Sequence, residues 1–167
     1  MKKLGPPHIH FLSAAEGWLG LGNVAEAKAE LARMSRRYLK HPQVLEVRWA
    51  IHAQEQDWKE ALAAARALIE CAPELAFGWV HQAYSLRRVA DGGLQPAWDA
   101  LFPAMEKFPK DPIIPYNLAC YACQMQQPAK ARILLTRAMA LGDPAQIKRM
   151  ALKDSDLEPI WAEIQTL

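Results

Sequence analysis

YNLACYACQMQQPAKARILLTRAMALGD, residues 116–143, is the stretch from which the fold can be read. In its first half Tyr116, Leu118, Ala119, Ala122 and Met125 recur at three- and four-residue steps, the period of one helical face. Gln126-Gln127-Pro128 interrupts the pattern, and a proline fits the first turn of a new helix, where its missing N–H has no partner to lose. The second half repeats the spacing with Ala131, Leu134, Leu135, Ala138 and Leu141, and Gly142 stands where helices commonly stop. Neither helix can bury its apolar face alone. Two of them joined by a short turn make a hairpin, and a row of hairpins makes a continuous core.

Working upstream, one small residue marks each copy. Ala27, Ala61, Ala97 and Ala131 each follow a loop and a short polar or proline-marked run, and they are separated by 34, 36 and 34 residues. A residue of this size lets the two helices of a hairpin approach closely. Leu31, Ala65, Leu101 and Leu135 follow four residues later, and Pro73 and Pro109 block helix continuation before the next unit in the middle copies. The first copy delays its proline to Pro42, and the fourth ends on Asp143-Pro144. Expected helices cover 8–21, 25–39, 43–55, 58–71, 74–89 and 94–108, with Pro103 kinking or breaking the last. Phe11, Ala14, Ala15 and Trp18 are expected on one face of the first.

This period, with its alanine, apolar and proline pattern, resembles the tetratricopeptide (TPR) repeat over residues 8–143. Trp79 with Ala83 in copy three, and Leu118-Ala119 in copy four, stand where that family has its tryptophan, its small residue and its Leu-Gly/Ala pair. Copy two lacks the pair. Copy three carries two extra residues at Asp91-Gly92-Gly93, which implies a longer turn. The resemblance implies an all-α fold: a right-handed superhelix of four TPR-like hairpins (8–41, 42–74, 75–110 and 111–143) after a loose lead-in at 1–7. Residues 144–167 would close it as C-terminal capping helices, one at about 145–152 and a short last one capped by Ser155 or Asp156, with Leu157, Ile160, Trp161 and Ile164 inward.

Composition narrows the function classes. Twenty Lys and Arg against 18 Asp and Glu give a formal charge of +2, too balanced to indicate nucleic-acid binding. The sequence has no apolar run long enough to span a membrane. Three cysteines do not make a disulfide framework, so a reducing, cytoplasmic compartment is expected. Arg33, Arg36, Arg37 and Lys40 read as a solvated cationic helix end.

Cys120-x-x-Cys123 has the spacing of a metal half-site or a redox pair. No second pair of ligands accompanies it and no strand leads into it, so both thiols read as packing or groove lining. The histidines at 8, 10, 41, 52 and 81 are scattered, no serine lies in a nucleophile motif, and Gly92-Gly93 has no phosphate-loop continuation. The expectation is therefore a non-enzyme without metal or cofactor.

The resemblance implies an adaptor or scaffold binding a peptide or partner helix along its concave side, lined by the first helix of each repeat. Carried over position by position, the partner-binding candidates are Glu46, Val80, Tyr84, Arg87, Arg88, Tyr116, Asn117, Cys120 and Gln124. The tyrosines would give flat contact surfaces, Asn117 a backbone hydrogen bond, and the arginines partners for a carboxylate. The lysine-asparagine carboxylate clamp of one subfamily is absent, its positions being Leu12 and Glu16. Two further readings are a chaperone or assembly factor for a larger bacterial complex, for which homo-oligomerisation is left open, and a thiol or metal protein built on Cys120 and Cys123. Trp49 and Trp58 read as packing residues.

Overall fold

A computed structural model describes residues 3–166, and no β-strand occurs among them. The chain forms two compact units, the first ending at Val89 and the second beginning at Ala90. The division falls inside the third expected repeat, beside Asp91-Gly92-Gly93.

In the first unit α1 (His8–Gly20) pairs with α2 (Val24–Ala32), α3 (Pro42–Gln54) pairs with α4 (Trp58–Cys71), and α5 (Ala76–Leu86) lies against α4. The turns are written locally. Gly22 takes φ 76°, and the Asn23 side-chain oxygen accepts the Glu26 N–H at 3.2 Å. Asp57 accepts the Glu60 N–H at 3.3 Å in the same way. Ala27 and Ala61 are fully buried, as the spacing requires. Around Ala27 pack Leu12, Ala15, Leu31, Met34, Val44, Val47 and Ile51, the larger of which contribute about 1.5–3 kcal/mol each on burial. Gly78, inside α5, has a different role from a turn glycine. A Cβ there would sit 3.2 Å from Ile69 Cγ1 and 3.3 Å from Leu68 Cγ, so its absence lets α5 approach α4.

Three expectations for this unit are corrected. The buried stripe of α1 is His8, Leu12 and Ala15, whereas Phe11 is only half-buried and Trp18 is 36% exposed. α2 stops at Ala32 instead of 39. Met34 turns into the core, Ser35 becomes extended with its Oγ 3.2 Å from His8 Nε2, and Tyr38, in a 3-10 turn (Arg36–Tyr38), meets the His8 ring at 4.6 Å. These long-range contacts outweigh the local periodicity. α5 ends at Leu86 rather than 89, the chain tightening through the Arg88 N–H to the Ser85 carbonyl. The basic run is partly stacked: Arg33 pairs with Glu30 at 2.8 Å and lies 4.1 Å from the Phe11 ring centroid.

In the second unit α6 (Leu94–Leu101) and α7 (Ala104–Lys107) are the two halves of the helix expected at 94–108, split at Pro103. α8 (Ile113–Gln124) and α9 (Pro128–Leu141) form the hairpin read from residues 116–143, and Ala97 and Ala131 are fully buried. α10 (Pro144–Ala151) follows, then a 3-10 segment (Ser155–Ile160) and α11 (Trp161–Ile164). Asp154, not Ser155 or Asp156, caps the 3-10 segment by accepting the Asp156 N–H at 3.0 Å. Leu157, Ile160 and Ile164 point inward as expected, and the Trp161 indole donates to the Ala151 carbonyl at 2.9 Å. Gly142 is needed for close approach: a Cβ would meet Ile147 Cδ1 at 2.9 Å and Pro112 Cβ at 3.1 Å. α8 was expected to bury one face; from Ile114 to Cys123 only Asn117 escapes burial. Its second cover is the 3-10 segment. No helix of the described residues is long and apolar enough to cross a membrane.

Candidate functional site

The candidate positions of the first unit lie on α3, on α5 and in the turn that ends α5. Val80 and Tyr84 share one side of α5, and Arg88, two residues past the helix end, folds back onto it. Val80 and Tyr84 are half-buried. The Arg88 guanidinium lies 3.5 Å from the Tyr84 ring centroid and 5.2 Å from that of Trp58, and donates to the Tyr84 carbonyl at 3.1 Å. Tyr84 meets Trp58 at a tilt, centroids 5.8 Å apart, and presents an edge to Trp49 at 5.9 Å. Arg87, half-buried, is the C-cap of α5. The result is a half-exposed ledge of two tryptophans, a tyrosine and a stacked arginine.

A rigid support lies behind this ledge. Trp49 stacks on His81 at 3.6 Å with the planes 4° apart, and its indole N–H donates to Ser85 Oγ at 3.0 Å. The fully buried Ser85 hydroxyl donates in turn to the His81 carbonyl at 2.8 Å. Burial of the imidazole drives the His81 pKa down to about 4, so the ring is neutral at pH 7. Glu46, half-buried on α3, has its carboxyl raised above the usual range, first by burial and then by the charge of Glu16. Local sequence marks Trp49 and Trp58 as packing residues and gives His81 no role in the site. Their aromatic type was visible; their convergence on Tyr84 depends on how α3, α4 and α5 meet.

In the second unit Tyr116, Cys120 and Gln124 form a second stripe with the same four-residue spacing, and the chain's own C-terminal segment lies across it. The Tyr116 hydroxyl donates to Asp154 Oδ2 at 3.0 Å, the Cys120 thiol to the same oxygen at 3.5 Å, and the Gln124 amide to the Asp156 carbonyl at 2.9 Å. Tyr116 and Cys120 are buried there. Burial first, then neighbouring negative charge, pushes the Tyr116 phenol far above its ordinary pKa. Asn117 is half-buried, its amide donating to the Ile113 carbonyl at 2.8 Å. Cys123 is buried and its thiol raised, by burial and then by Asp156. The potential metal donors are Cys120, Asp154 and Asp156, with ligand atoms within 4.8 Å of one another, and Cys123 is not among them. Both Asp154 oxygens already accept hydrogen bonds, from Tyr116, Cys120 and the Asp156 backbone.

Several solved structures share this arrangement of helices. A thermophilic TPR protein from Thermus thermophilus, TTC0263, superposes with a TM-score of 0.73 at 17% identity, covering 96% of this chain and 100% of that one. A MamA double mutant (RS-1 ArsTM) gives 0.66 at 16% identity over 84% of this chain and 77% of its own. MamA 41-end from Desulfovibrio magneticus RS-1 gives 0.50 at 17% identity, covering 83% and 97% respectively. No protein-family model and no curated sequence matches the chain. The fold is of the TPR type, as the 34-residue period indicated.

Proposed function

We propose, taking the TPR-type fold as premise, that this chain is a non-catalytic protein–protein interaction module. Its partner is a peptide or helix received on the α3–α5 side of the first unit. The observation that carries this reading is the half-exposed ledge of Trp58, Tyr84 and Arg88. Aromatic and arginine side chains are the types that dominate binding energy at protein interfaces, the aromatics through large contact area on two rotatable bonds and arginine through its planar fork of donors. Trp49, His81 and Ser85 hold the ledge in place before any partner arrives, so little ordering cost falls on binding. Glu46, Val80 and Arg87 would border the contact. Arg88 would present a carboxylate partner with a fork already oriented by stacking.

The corresponding stripe of the second unit is assigned a different task. Tyr116, Cys120 and Gln124 hold the C-terminal segment, and an external partner would have to displace three hydrogen bonds and the buried Leu157 and Ile160. Partner binding is therefore proposed for Tyr84 and Arg88 before Tyr116 or Cys120.

The test is capture from host lysate by the immobilised chain, with bound proteins identified by mass spectrometry. Wild type is compared with Tyr84→Ala/Arg88→Glu and with Gln124→Ala, all three checked for helical content. Proteins retained by wild type and Gln124→Ala but lost by the double variant support the proposed face. Identical retention by all three would overturn it.

A further inference from the structure

We infer that a cavity in the first unit, between α2 and α3, is a binding site for an aliphatic monocarboxylate. The cavity measures about 320 Å³, at the small end of the range of about 300–1,000 Å³ typical of ligand sites. It is bounded where α2 ends. The chain leaves the helix after Ala32 and brings Leu39 back to line the cavity. Leu31, Val44 and Ile51 supply the rest of the apolar wall.

The polar lining consists of the cations Lys28 and Arg48 and the His52 imidazole, with no carboxylate among the lining residues. Two of these three already have acidic neighbours. Lys28 Nζ pairs with Glu55, and His52 Nδ1 lies 3.9 Å from Asp57 Oδ2. The Arg48 side chain, half-buried on α3, makes no hydrogen bond or ion pair among the described residues. A half-buried guanidinium without an anion beside an apolar hollow calls for one negative group that can accept its fork of N–H donors, carried on a hydrocarbon tail. A carboxylate with a short aliphatic chain supplies both. This site is separate from the α3–α5 ledge and does not depend on the function proposed for it.

Octanoate is the probe, compared by calorimetry with butanoate, hexanoate and the uncharged 1-octanol, while the methyl NMR signals of Leu31, Leu39, Val44 and Ile51 report location. Octanoate should bind saturably at one site. Affinity should rise about fourfold per methylene from butanoate upward. Arg48→Gln should weaken octanoate about tenfold or more and leave 1-octanol unchanged. Ala32→Phe, at an exposed lining position, should fill the mouth and abolish both without altering helical content. No saturable octanoate binding at millimolar concentration would overturn the site. So would binding that survives Ala32→Phe or shifts only methyls elsewhere. Equal affinity for octanoate and 1-octanol would overturn the carboxylate assignment even if Arg48→Gln failed to fold.

Discussion

Acidification should destabilise the first unit through His81. The ring is stacked on Trp49, and burial lowers its pKa from 6.5 to about 4. Because the folded-state value is the lower one, the unfolded chain takes up the proton first. Stability is therefore lost as pH falls below 6.5, and the loss is complete near pH 4. Integrated from pH 7 to pH 5, this single group should cost about 2 kcal/mol. One effect opposes it. A protonated imidazole lying flat on an indole gains a cation–π attraction of about 0.5–1 kcal/mol at exposed sites, more when desolvated. Desolvation exceeds that gain here, so a net loss of about 1–2 kcal/mol is expected. The assay is urea unfolding at both pH values for wild type and His81→Phe, which keeps a ring on Trp49 but cannot titrate. The pH-dependent difference between the two isolates His81 from the carboxylates and the other histidines. Parallel stability curves, or an NMR titration of His81 near its ordinary value, would refute the burial argument.

Packing at the repeat alanines should be equally specific. Ala61→Leu, at a fully buried position, should cost about 1–3 kcal/mol by overpacking, while Ala63→Leu on the exposed side of α4 should be nearly neutral in the same denaturation assay. Gly78→Ala sets helix propensity, which favours alanine by about 1 kcal/mol, against a Cβ 3.2 Å from Ile69 and 3.3 Å from Leu68. Leu68 is fully buried and has no room to retreat, so a net loss of about 1 kcal/mol is expected; a raised Tm would show that these neighbours yield. Asp154→Ala removes a cap and leaves the Tyr116 hydroxyl without its acceptor, a cost of about 2–3 kcal/mol. Limited proteolysis should then cut first after residue 153, and Asp154→Asn, which keeps an acceptor, should protect against it.

The pairings of α1 with α2, α3 with α4 and α8 with α9 are legible in local sequence. Ala27, Ala61, Ala97 and Ala131 are buried as their period required, and the turns at Asn23 and Asp57 and the break at Pro103 are local events. A cap, a proline or a 3.6-residue period acts within a few positions and can be read without knowing the rest of the chain. On the site, sequence spacing put Tyr84 with Arg88, and Tyr116 with Cys120 and Gln124, each on one face. What those faces meet depends on packing between distant segments. Trp49 and Trp58 reach Tyr84 from two other helices, and Asp154 and Asp156 reach the α8 stripe across 32 to 38 residues of sequence. The early end of α2, with the cavity beside it, follows from His8 holding Ser35, 27 residues away, together with Tyr38, a pull that no local period records. Side-chain contacts between distant segments form only once the helices have packed, and they decide where a helix stops and which of its faces is covered.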